Sequence, residues 1–198
     1  TAALHRWDRL GGERRSDVLD RAADLFERHR ARLMAVIVRE AGKTLAAAQS
    51  DIREAVDFLR YYAVEARRLF SGPVVLPGPT GERNTLELRA RGPVACISPS
   101  NFPLAIFTGQ VAAALAAGNS VLAKPAEQTP IAAFVAVEML HAAGVPKEVL
   151  QLLPGGGAAS VDRRRSRGKL PARGRIDVLV DPGSAFLELN ALAALELY

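Results

Sequence analysis

Cysteine is almost absent from this chain: Cys96 is the only one among 198 residues. An intramolecular disulfide is therefore excluded, and the usage fits a reducing, cytoplasmic setting. Histidine is nearly as scarce. His5, His29 and His141 stand far apart without metal-ligand spacing, so no metal is expected. Aromatic residues make up 6% of the chain, and none interleaves with its densest basic run. Stacking on nucleic-acid bases is thus unsupported, in spite of a formal net charge of +5. No uninterrupted apolar run reaches the roughly 18–20 residues of a membrane span. The nearest stretch, Phe102–Ala117, is short, Ala-rich and contains Gly109 and Gln110. Thr1–Arg15 is charged and lacks an apolar block, so no signal peptide is expected.

What is present is apolar surface in quantity, 49% of residues, arranged with two different periods. Leu19, Ala22, Phe26, Leu33, Val36 and Ile37 return at helical spacing, which predicts one helix capped by Ser16 and running to Ala41. Gly42 terminates it. Ile52, Ala55, Leu59 and Tyr62 form the stripe of a second helix, Leu45–Phe70. The two make a helical hairpin over 14–70, joined by a Gly-Lys-Thr turn. That tripeptide is not a phosphate loop: it ends a helix where a phosphate loop begins one. Ser71–Arg83 is rich in Gly and Pro and reads as a connection, and Thr85–Ala90 alternates like an exposed strand.

From Gly92 the pattern changes to short apolar runs without alternation, as in parallel strands buried on both faces. Val94–Ile97, Val121–Ala123 and Val149–Leu153 alternate with helical segments, Leu104–Ala117 and one starting at Thr129-Pro130. Pro is favoured at a first helical position, where its missing N–H costs nothing. The expected architecture is α/β: the hairpin, a loop and strand over 71–91, then an incomplete Rossmann-like parallel β-α-β-α-β unit over 92–157. Ligands of such sheets bind beyond the carboxyl ends of the strands. Ser98, Ser100, Asn101, Lys124, Glu127 and the Gly155–Gly157 run all fall at that edge.

The motifs ISPSNFP, AAGNSVLAKPAEQTP and GVPKEVLQLLPG resemble the cofactor-binding domain of NAD(P)-dependent aldehyde dehydrogenases, and EAGKTLAAAQSDIREAVDFLRYYAVEARRLF is similar to that family's leading helices. The resemblance covers Trp7–Gly157. Within the family the wording points to the glutamate-semialdehyde (1-pyrroline-5-carboxylate) dehydrogenase module of bacterial proline-utilisation A proteins. It implies NAD as cofactor, an aldehyde as small-molecule substrate, and a homo-oligomer for the intact enzyme.

Aldehyde oxidation by this route needs a thiolate nucleophile, an oxyanion site, a hydride acceptor and a base. The resemblance assigns the oxyanion donor to Asn101, whose side-chain NH2 faces developing charge. It assigns the cofactor wall to Ile97, Ser98, Pro99 and Ser100, where relatives commonly carry Trp in place of Ser100. Lys124, Pro125, Ala126 and Glu127 are assigned to the adenosine ribose, and Gly155 and Gly157 to the turn near the adenine. A carboxylate at 127 discourages a 2′-phosphate and so favours NAD over NADP. Simpler roles compete: Asn101 as a turn residue, Lys124 and Glu127 as a surface ion pair, the triple glycine as a linker. Cys96 is rejected as nucleophile because it lies inside an apolar strand. The family's catalytic cysteine and general base are expected beyond Tyr198, so the chain alone is expected to be inactive.

After Gly157 the composition shifts. Arg163–Arg175 holds seven Lys or Arg residues in thirteen, with little apolar periodicity. Residues 158–198 read as a divergent basic tail. A reading-frame shift in a GC-rich gene accounts for it, and a genuine tail is the alternative. Ile176–Val180 has the composition of a strand, and Leu187-Glu188-Leu189 resembles the opening of the family's general-base motif. Two other function classes remain open: a non-catalytic nucleotide-binding module, and a nucleic-acid binder using the arginines.

Overall fold

The computed structural model describes residues 2–155 and 187–189. Four helices lead: α1 (Ala2–Arg9), α2 (Gly11–Arg28), α3 (Arg30–Ala41) and α4 (Leu45–Phe70). A two-stranded antiparallel ribbon follows, β1 (Val74–Leu76) on β2 (Asn84–Leu86). The remaining elements are β3 (Pro93–Ile97), α5 (Ala105–Ala116), β4 (Ser120–Lys124), α6 (Pro130–Ala143), β5 (Leu150–Leu152) and β6 (Leu187–Leu189).

The leading helices differ from expectation in three ways. Helix α2 starts at Gly11, so Ser16 is no cap. It is buried inside α2, and its hydroxyl donates to the Glu13 carbonyl at 2.6 Å. The long helix is also divided at His29 (φ −103°, ψ 21°). Between Phe26 and Leu33 every residue is exposed, so no packing holds that turn straight. Third, α1 was not expected at all. Trp7 anchors it: the ring is 1% exposed and its indole N–H donates to the Leu115 carbonyl at 3.0 Å. In the 71–83 connection, Val74-Val75-Leu76 forms β1, because β-branched residues favour a strand even when exposed. The strand expected over 85–90 is shorter, ending at Leu86.

The expected parallel unit is present, with one strand more than its three. The sheet order is β5-β4-β3-β6, and all three pairings are parallel. The chain steps outward from β3 to β4 to β5, then reaches the other side of β3 with β6. Reversal of strand order beside β3 makes the topological switch point of a doubly wound fold. β3 and β4 are buried along their centres. Val94, Cys96, Val121 and Ala123 join the main core, while Ala95, Leu122 and Leu153 form a small cluster on the opposite face. The basic run, Ile176–Val180, Gly156 and Gly157 lie outside the described residues.

Helices α5 and α6 carry no acidic residue in their first turns, and α5 no basic residue in its last. The leading helices supply what they lack. Asp51 of α4 accepts the Ala105 N–H at the start of α5 (2.8 Å), and Arg15 of α2 donates to the Ala116 carbonyl at its end (3.0 Å). Glu40 of α3 accepts the Ile131 and Ala132 N–H groups at the start of α6 (2.6 and 2.8 Å), and Arg21 donates to Ala143 at its end (2.9 Å). Acids at N-termini and bases at C-termini satisfy orphan backbone groups and match the helix dipole. Thr129 stands at the N-cap of α6, but its hydroxyl makes no capping bond; Glu40 does that work.

Candidate active site

The parallel register sets Ile97 beside Lys124 at the carboxyl ends of β3 and β4. The Ser98 N–H donates to the Lys124 carbonyl at 3.1 Å, continuing the ladder one step past β3. Leu153 does the same for β5, donating to the Ala123 carbonyl at 2.8 Å. Three corners therefore leave one edge of the sheet together: 98–104, 125–129 and 153–155.

In the first corner Ser98 is 6% exposed, and its hydroxyl donates to Gln110 Oε1 of α5 at 3.3 Å. Gln110 Nε2 is buried without a partner among the described residues. Ile97, Pro99 and Ser100 are half-buried, and Asn101 is exposed. Among the described residues, no hydrogen bond ties the Asn101 amide, so its NH2 is available to a ligand. Pro103 and Leu104 then turn the chain inward to α5, both buried.

In the second corner Pro125 is buried, Lys124 and Ala126 are half-buried and Glu127 is exposed. No ion pair joins Lys124 to Glu127 among the described residues; Lys124 Nζ donates instead to the Pro125 carbonyl at 3.4 Å. Gly155 brings the third corner against the second. A Cβ built on it would stand 3.1 Å from Glu127 Cγ, 3.2 Å from its Oε1 and 3.4 Å from Lys124 Nζ. Lys124, Glu127 and Gly155 thus share one spot.

Cys96 points elsewhere. It is fully buried in β3, and desolvation pushes its thiol up to about 12. The thiolate is the reactive form, so this residue is inert in the folded chain. Native protein at pH 8 is expected to react with a thiol reagent such as DTNB only as fast as it unfolds, with full titration in urea. The same shift makes stability depend on pH. Below the ordinary thiol value of 9.0 both states hold the proton; between there and about 12 only the unfolded chain loses it. Native protein should therefore lose up to about 1.4 kcal/mol per pH unit in that window relative to Cys96→Ala. Immediate labelling of native protein would contradict this assignment.

Comparisons with known proteins show the family to which this fold belongs. The model of the aldehyde dehydrogenase family matches residues 1–164. The chain belongs to the aldehyde dehydrogenase family. A bifunctional protein PutA of Klebsiella aerogenes is 52% identical over 82% of this chain, which spans 12% of that relative. A 1-pyrroline-5-carboxylate dehydrogenase of Anoxybacillus flavithermus is 42% identical over 84% of this chain, covering 33% of the relative. Among solved structures, the proline utilization A protein of Bradyrhizobium japonicum superposes with a TM-score of 0.77 at 52% identity, over 81% of this chain and 16% of that one. A 1-pyrroline-5-carboxylate dehydrogenase from Thermus with bound NAD superposes with a TM-score of 0.75 at 32% identity, over 94% of this chain and 39% of that one. The chain therefore spans a minor part of each relative's length.

Sequence reasoning missed three side chains that bear on these corners: Gln110, Lys43 and Asp51. Asp51 had a legible signal. It lies on the buried stripe Ala48, Ile52, Ala55, Val56 of α4, where a carboxylate needs a partner.

Proposed function

We propose that this aldehyde dehydrogenase chain forms the cofactor-gripping part of an NAD-dependent enzyme that oxidises L-glutamate γ-semialdehyde to glutamate in proline breakdown. The observation that carries the reading is the packing of Gly155 against Lys124 and Glu127 at the carboxyl edge. A side chain at 155 would crowd both residues, so glycine lets the third corner approach them. The Lys124 ammonium and Glu127 carboxylate bind ribose hydroxyls there, and the carboxylate repels a 2′-phosphate. Ile97, Ser98, Pro99 and Ser100 form the wall on the β3 side, with Pro125 and Ala126 shaping the second corner. Gly157, assigned with Gly155 to the cofactor by the family resemblance, lies outside the described residues. NAD supplies the hydride acceptor. The Asn101 NH2 donates to the aldehyde oxygen as a thiolate adds to the carbonyl carbon and negative charge develops there.

The substrate rests on the names of the relatives, PutA and 1-pyrroline-5-carboxylate dehydrogenase. Cys96 is too buried to act as the nucleophile, so the chain by itself binds cofactor without turnover in this reading. The intact enzyme is proposed to be a homo-oligomer, an arrangement suited to the exposed apolar residues Val74, Val75, Leu76 and Leu86 of the β1–β2 ribbon.

Calorimetric titration of this chain tests the cofactor grip. NAD is expected to bind more tightly than NADP, and Glu127→Ala to weaken NAD about tenfold, equivalent to about 1.4 kcal/mol, while narrowing the gap to NADP. Equal affinity of the native chain for both dinucleotides would overturn the assignment of Glu127.

A further inference from the structure

We infer that Lys43 and Asp51, in the helical layer, are positioning residues for the Asn101 corner; the inference rests on the reading of Asn101 as the oxyanion donor. Asp51 is 1% exposed, and its carboxylate is divided between two partners. Oδ2 receives the Lys43 ammonium at 3.0 Å, and Oδ1 receives the Ala105 N–H at 2.8 Å. The same ammonium stands 4.3 Å from the centroid of the Phe102 ring. One buried carboxylate and one cation thus hold the corner on both sides of its turn, at residue 102 and at residue 105.

The arrangement matters because Pro103 and Leu104 are buried whereas Asn101 and Phe102, just before them, are exposed and little else holds those two. Residues 99–104 belong to no helix or strand, and Phe102 is 41% exposed, so core packing does not fix its ring. A cation over an aromatic face attracts it electrostatically, and most effectively where the cation is shielded from water. The Lys43 side chain is 14% exposed. Its own place is fixed by the turn around it: Gly42 closes α3 with φ 65°, and the Thr44 hydroxyl caps α4 by accepting the Ala47 N–H at 3.2 Å. The Gly-Lys-Thr turn, which lacks the sequence context of a phosphate loop, thereby acquires a role. It carries the ammonium that orders the oxyanion corner.

The test combines backbone 15N relaxation in this chain with kinetics in a full-length aldehyde dehydrogenase carrying residues 2–155. Lys43→Met keeps the aliphatic stem and loses the charge; Lys43→Arg keeps the charge and the aromatic contact. Asp51→Asn retains an acceptor for Ala105 and loses the ion pair. Order parameters at Asn101 and Phe102 are expected to fall from about 0.85 to below about 0.6 in Lys43→Met, and to stay near the native value in Lys43→Arg. In the full-length enzyme Lys43→Met and Asp51→Asn should lower kcat by about tenfold or more, with KM for NAD within twofold and with recovery in Lys43→Arg. If Asp51→Asn fails to fold, the two Lys43 variants decide. Unchanged order parameters, or unchanged kcat in Lys43→Met where Asn101→Ala is impaired, would overturn the inference. If Asn101→Ala itself leaves kcat intact, the oxyanion reading fails, and the order parameters alone judge the positioning.

Discussion

Replacing Asn101 by alanine in a full-length dehydrogenase that carries this chain is expected to lower kcat about 100-fold or more, with little change in NAD affinity. In the proposed role the amide donates to charge that exists only in the transition state, so its loss would remove roughly 3 kcal/mol of differential binding. The observed geometry suits the role: Asn101 is exposed beyond β3, and its amide has no partner among the described residues. Glu127→Ala should do the reverse. That carboxylate lies at the next corner, against Gly155, on the side assigned to the ribose. Its loss should raise KM for NAD while leaving kcat nearly unchanged at saturating cofactor. Stopped-flow and steady-state measurements of NADH formation separate the two parameters. Equal losses of both in both variants would mean that these corners serve folding and do not divide the chemistry.

The elements whose residues carry a local signal were legible without a structure. β3, β4 and β5 are short apolar runs between turn residues, and α4 has a clean stripe, a Thr cap and a Gly before it. The common edge followed from topology alone, since parallel strands joined by helices must end together. What escaped was set by contacts distant in sequence. The division at His29 reflects six consecutive exposed residues, 27–32, which becomes visible only once the neighbours are placed. Helix α1 is held by Trp7 on the Leu115 carbonyl, 108 residues away. The ends of α5 and α6 are served by charges distant in sequence, Arg15, Arg21, Glu40 and Asp51, which the sequences of α5 and α6 do not reveal. β6 escaped as a strand because Leu187-Glu188-Leu189 lacks a continuous apolar run like those of β3 and β4. Its partner is β3, on the side away from β4.

Those distant caps make the contact between α2 and α4 a second place where a small change should have a large effect. Gly12→Ala is expected to lower stability by about 2 kcal/mol, or roughly 4–8 °C in melting temperature for a chain of this size. Two effects oppose each other. Alanine is the better helix former, by about 1 kcal/mol over glycine. Against this, a Cβ on Gly12 would overlap the Ala66 carbonyl oxygen and stand 2.8 Å from the Phe70 carbonyl carbon. These are backbone atoms of α4 and cannot rotate aside, so the helices must separate, an overpacking strain of about 3 kcal/mol. Separation would also draw Arg15 away from Phe70, whose ring centroid it approaches at 5.5 Å, and from the carboxyl end of α5. Gly42→Ala isolates the other way a glycine is needed. Nothing lies within 4 Å of its built Cβ, so only the left-handed φ of 65° costs, about 1 kcal/mol. Thermal melts should therefore rank Gly12→Ala below Gly42→Ala, and both below the native chain. A Gly12→Ala protein that melts above the native one would show that helix propensity outweighs the contact, and that α2 does not sit on α4 at backbone distance.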